Sequence, residues 1–122
     1  MKNRLSLLLA VVFQLVIGSH AFANGTVMGS VFEQDGFTPI ADASVTFSTV
    51  NLQGDTISYQ FHTDSFGSYY GTMIAGEYQA VAFANGYADS VFPTSIVLND
   101  DAVIEHIDFV LHELYSPVQY FN

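Results

Sequence analysis

From residue 24 onward, apolar and polar side chains alternate with a period of two. Val27, Gly29 and Val31 alternate with Met28, Ser30 and Phe32; Ala43, Val45 and Phe47 with Ser44, Thr46 and Ser48; Ile57, Tyr59 and Phe61 with Ser58, Gln60 and His62. That period places successive side chains on opposite faces of a strand, so each segment predicts a half-buried strand. Turn-forming residues fall between them: Asp35-Gly36, Gln53-Gly54-Asp55, Asp64-Ser65-Phe66-Gly67, Ala75-Gly76 and Asn85-Gly86. Further strands are predicted over Ser68 to Met73, Glu77 to Ala84, Ser90 to Leu98 and Val103 to His112, and no helical period of ten or more residues appears. Seven short strands at this spacing point to an antiparallel two-sheet sandwich.

Residues 1–23 follow a different pattern. A basic start (Lys2, Arg4), an apolar run from Leu5 to Ile17 and the triplet Ala21-Phe22-Ala23 predict a signal peptide cleaved after Ala23. The run is shorter than the roughly 20 residues a membrane span needs. The expectation is therefore export through the Sec route to the periplasm or the extracellular space, with no membrane insertion after cleavage. The chain then divides into a leader (1–23), one sandwich domain (24–113) and a C-terminal tail (114–122).

Composition sharpens this picture. The chain has 122 residues, no cysteine, twelve acidic side chains and two basic ones, for a formal charge of -10. Both basic residues lie in the leader, so cleavage leaves 99 residues with a side-chain charge of -12. Disulfides and lipid-modified cysteine are excluded. Phosphate backbones are bound mainly by Lys and Arg, so nucleic acid is excluded as a partner. Lysine Schiff-base chemistry and arginine clamps lack their side chains altogether.

Several short motifs recur in order. Gly29-x-Val31, Pro39-Ile40-Ala41-Asp42-Ala43-Ser44-Val45, Thr63-Asp64-x-x-Gly67-x-Tyr69, Gly76-Glu77-Tyr78, Asn85-Gly86-Tyr87 and Asp108-Phe109-Val110-Leu111 span residues 29 to 113. Together they resemble a carboxypeptidase regulatory-like domain. The resemblance implies a seven-stranded, transthyretin-like Greek-key sandwich in a small exported bacterial protein, one that is not an enzyme. The same residues also have a local reading: Gly67 and Gly76 reverse hairpins, Asp64 caps its own turn, and Tyr69, Tyr78 and Tyr87 bury their rings beside turns.

The chemistry-bearing residues are sparse. No Gly-x-Ser-x-Gly elbow and no cysteine nucleophile is present, so no catalytic residue is assigned. Beyond the leader the histidines are His62, His106 and His112; on the last strand His106, Asp108 and His112 face away from the apolar row Ile107, Phe109 and Leu111. Two residues apart on one strand face means about 6.6 Å, a poor metal-ligand spacing. Transthyretin-related hydrolases of ureide metabolism share the implied fold. They use histidines with a basic residue and end in Tyr-Arg-Gly-Ser, whereas this chain ends Gln119-Tyr120-Phe121-Asn122. No cofactor is expected. Calcium is the one weak metal expectation, with two separate groups of candidate oxygen ligands, Asp64 with Asp35 or Asp55 in loops and the adjacent Asn99-Asp100-Asp101; no EF-hand loop pattern supports it.

A partner surface is the remaining expectation. In the register the resemblance implies, Tyr78, Ala80, Ala82 and Ala84 face inward, which turns Val81 and Phe83 outward as the interface residues. Met28, Phe32 and Val110 likewise face away from the core, unless the tail from Tyr115 to Phe121 covers them. Two functional classes result: a non-catalytic module acting through a protein partner, self-association or a structural role, or a carbohydrate- or calcium-binding module of the cell envelope.

Overall fold

A computed structural model describes residues 23–114. The leader over 1–22 and the tail over 115–122 lie outside the described residues.

The alternating segments form strands, and the strands form two sheets. β1 (Asn24–Glu33), β4 (Ser68–Ile74), β8 (Val103–Ile104) and β9 (Phe109–Leu111) make the first; β2 (Ser44–Val50), β3 (Thr56–His62), β5 (Gly76–Phe83), β6 (Ser90–Val91) and β7 (Ile96–Leu98) make the second. β1 is central in its sheet, antiparallel to β4 from Asn24 opposite Ile74 to Ser30 opposite Ser68. In the second sheet β2 lies between β3 and β5, with both pairings antiparallel.

The inward rows close on one another as the period of two requires. Val27, Val31, Tyr69, Met73, Phe109 and Leu111 from the first sheet meet Val45, Phe47, Tyr78, Ala80, Ala82, Ile96 and Leu98 from the second. The alanine row on β5 sits beside bulk on β2, with Ala80 opposite Phe47 and Ala82 opposite Val45, so large and small residues alternate across the layer. Phe47 packs against Phe61 and Tyr69 with ring centroids 6.0 and 6.2 Å apart.

Two expectations are corrected. The sandwich is not purely antiparallel: β1 pairs in parallel with both β8 and β9. The chain leaves the second sheet after β7 and runs along β1 in β1's own direction, a geometry that alternation cannot reveal. The seven predicted strands also become nine among the described residues. Ser90 to Leu98 splits at Pro93, which has no N–H for a ladder, just after the Phe92 N–H donates to the Ala80 carbonyl at 2.9 Å. Val103 to His112 splits at His106, whose φ of 66° takes the backbone out of the extended region.

The turn readings divide. Asp64 caps its own turn, its carboxylate accepting from the N–H groups of Phe66 at 2.8 Å and Ser68 at 3.0 Å. Gly67 has φ 74°, whereas Gly76 opens β5 outside the left-handed region. Thr63, buried at 6 % exposure, ties the β1–β2 loop to the end of β3: its hydroxyl donates to the Ile40 carbonyl at 2.6 Å and accepts from the Ala43 N–H at 2.9 Å.

Candidate interaction surface on the first sheet

The outward row of β1 is Met28, Ser30 and Phe32. Cross-strand register places Tyr70 beside Met28, Ser68 beside Ser30 and Val110 beside Phe32. Tyr70 is 76 % exposed and Val110 38 %. Two apolar pairs, Met28–Tyr70 and Phe32–Val110, thus flank the Ser30–Ser68 pair on the outer face of the first sheet.

The segment between β8 and β9 builds a wall along this row. The Ile107 N–H donates to the Met28 carbonyl at 3.1 Å, and the Asp108 carboxylate accepts from the Ser30 N–H at 2.8 Å. From β4, the Tyr69 hydroxyl passes beneath and donates to the Ile107 carbonyl at 2.6 Å. Burial, with the Asp108 carboxylate nearby as a second cause, raises the Tyr69 hydroxyl well above the usual phenol range. This crossing needs Gly29, because a β-carbon there would lie 1.9 Å from the Ile107 oxygen and 2.9 Å from the Tyr69 hydroxyl oxygen.

The result is a cavity of about 530 Å³ with an aromatic and thioether wall (Met28, Phe32, Tyr70) and an acidic rim (Asp64, Glu105, Asp108). His106 sits on the rim, its ring nitrogens 3.8 Å from Glu105 and 3.9 Å from Asp108. With the ring 84 % exposed, these contacts contribute little to stability. His106 and Asp108 do not share a strand face as expected: both lie in the break between β8 and β9, where the backbone of His106 is left-handed.

The residues expected from sequence fall in several places. Val81 and Phe83 face outward on the opposite sheet, Val81 beside Thr46 and Val91, Phe83 beside Ser44. Phe83 is 48 % exposed and Val91 58 %, and the β2 residues opposite Phe83 and Val81 are the polar Ser44 and Thr46; this patch lies on the other sheet from Met28, Phe32 and Val110. The two candidate calcium groups lie at opposite ends of the first sheet: Asp64 at the Ser68 end of β4, and Asp101, whose N–H donates to the Asn24 carbonyl, at the Ile74 end, six residues or about 20 Å along the strand. Asp35 serves its own turn: hydrogen bonds from the Thr38 hydroxyl first, then the Thr38 and Phe37 N–H groups, hold its carboxyl below the usual carboxylate range. Among the described residues no group of three or more His, Asp or Glu side chains is placed to share a metal ion.

Tyr70 and Glu105 were missed. For Tyr70 a signal existed, because Tyr69 in the inward row implies Tyr70 on the outer face. Glu105 had none, since its position depends on the break at His106.

Comparison with known proteins adds fold and little else. No protein-family model matches the chain, and no curated protein matches it. Solved structures do: the Bacillus anthracis TIE protein at 19% identity and TM-score 0.59, over 75% of this chain and 18% of that one. Catechol 1,2-dioxygenase from Pseudomonas arvilla C-1 is similar at 16% identity and TM-score 0.60, over 79% and 54%. A DUF3823 family protein from Parabacteroides merdae follows at 10% identity and TM-score 0.59, over 77% and 48%. The chain therefore spans 18% to 54% of the length of these three proteins. The protein is a small two-sheet β-sandwich domain. A shared sandwich at such identities carries no catalytic inference from the dioxygenases.

Proposed function

We propose that this protein is an exported, non-catalytic module of the carboxypeptidase regulatory-like, transthyretin-like Greek-key type, acting by protein–protein contact through the outer face of its first sheet. One observation carries the reading. Exposed Tyr70 and Val110 stand beside half-buried Met28 and Phe32 on one sheet face, on either side of the Ser30–Ser68 pair, and clustered apolar side chains reaching the surface of a domain mark interaction surfaces. The motif order from Gly29 to Leu111 supports the family assignment. The basic, apolar and small-residue pattern of residues 2–23 supports export.

The test compares two double variants. Phe32→Ser with Tyr70→Ser empties the first-sheet face; Val81→Ser with Phe83→Ser empties the second. Solution mass by light scattering and partner capture from the exporting cell are measured for both and for the unaltered chain. Loss of association in the first variant with retention in the second is the expected result. Equal behaviour of the two would overturn the assignment to this face.

A further inference from the structure

Resting on the contact reading above, we infer that the groove over β1 and β4 takes a cationic, extended segment of a partner protein, with an arginine or lysine side chain lying on the Tyr70 ring and its charged head at the acidic rim of Asp64, Glu105 and Asp108, beside the His106 ring. The groove pairs two recognition elements. Exposed Tyr70 with half-buried Met28 and Phe32 provides an aromatic and thioether surface, and three carboxylates stand at its rim. A cation held over an exposed aromatic ring and met by carboxylates satisfies both elements at once. An anionic or purely apolar occupant would leave the carboxylates desolvated without a counter-charge.

Charge complementarity also selects the source of the occupant. No lysine or arginine follows Arg4 in the sequence, so the sandwich of a second copy offers no permanent cation to this groove. Stacking copies face to face would instead bring Asp64, Glu105 and Asp108 against more carboxylates, and like charges brought together are repulsive. Within this chain only Lys2 and Arg4 could compete for the same position.

The test uses the purified, isotope-labelled chain and three synthetic peptides of equal length: valine alternating with arginine, with glutamate, or with serine. Amide shifts on titration locate each peptide, and the midpoint of each titration measures its affinity. The arginine peptide is expected to shift Ser30, Tyr70, His106 and Asp108 and to leave Val81 and Phe83 unmoved. Glu105→Gln should weaken it about fivefold at low salt, the scale of a single exposed ion pair. Raising NaCl from about 0.01 to about 1 M, which shortens the screening length from about 30 to about 3 Å, should abolish it. The expected behaviour must also hold in a chain with Lys2→Gln and Arg4→Gln. If that variant binds the peptide far more tightly, the native occupant is the chain's own start and the partner inference falls. Equal binding of the serine peptide at the same residues would overturn the cationic inference and leave the contact face standing. Binding of no peptide, with the first-sheet double variant still losing its association, would also overturn it. Loss of neither would remove the face itself.

Discussion

Gly29→Ala tests the way the groove is built. The added methyl would sit 1.9 Å from the Ile107 oxygen, where ordinary van der Waals contact begins at 3.4 Å, so β1 and the 105–108 segment must separate by more than an ångström. That motion breaks or stretches three hydrogen bonds: Ile107 N–H to Met28, Ser30 N–H to Asp108, and the Tyr69 hydroxyl to Ile107. At about 1 kcal/mol each the loss is about 3 kcal/mol, out of roughly 5–14 kcal/mol for a domain of this size. With no tryptophan present, tyrosine fluorescence reports urea unfolding cleanly. At about 1 kcal/mol per molar urea, the midpoint should fall by about 3 M. Tyr69→Phe alone should cost about 1–2 kcal/mol, and Gly29→Ala should cost less in that background because one bond is already gone. A Gly29→Ala midpoint within about 0.5 M of the unaltered chain would refute the close crossing of β1 by the 105–108 segment. Strict additivity with Tyr69→Phe would refute the claim that the two residues share it.

The other expectations concern the rest of the sandwich. Thr63→Val should lower stability by about 2–3 kcal/mol in the same urea assay, because the Ile40 carbonyl and the Ala43 N–H both lose their partner, while Thr63→Ser should recover most of it. Alkaline pH should destabilise the fold in a defined window. Burial, then neighbouring Tyr59, pushes the Tyr78 hydroxyl up to about 12, and Tyr69 is raised too, against about 10 in an unfolded chain. Both raised values favour the protonated folded state, so their contribution is complete below about pH 10 and declines above it, that of Tyr78 through about pH 12 and that of Tyr69 at higher pH still; the check is the urea midpoint with phenolate absorbance from about pH 10 upward. The thermal midpoint should rise as NaCl goes from very low to moderate concentration, because all twelve acidic side chains lie in a stretch of sequence, residues 24–122, that holds no lysine or arginine. A flat midpoint would show that charge repulsion is not a material destabiliser.

How much of this was legible in advance depends on range. Period-two alternation is a local property, and it located β1 to β5 and the faces of β1 to β3, while the register implied by the family resemblance placed Tyr78, Ala80 and Ala82 inside and Val81 and Phe83 outside on β5. The Asp64 turn was equally local, since its hydrogen bonds reach only to Phe66 and Ser68. Charge, the missing cysteine and the confinement of lysine and arginine to Lys2 and Arg4 excluded whole classes of chemistry by counting alone.

Tertiary structure decided what lies next to what. Alternation shows that Met28 and Tyr70 point outward, but only the register of β1 with β4 makes them neighbours, and only a parallel return along β1 adds Val110 to the same face. The groove itself comes from the break at His106, which carries Glu105 and Asp108 onto the first sheet beside Gly29. A strand's period encodes the side a residue faces. Which strand lies beside it is chosen by packing over the whole chain, and that choice turned an unassigned set of outward residues into one surface while leaving Val81 and Phe83 on the other.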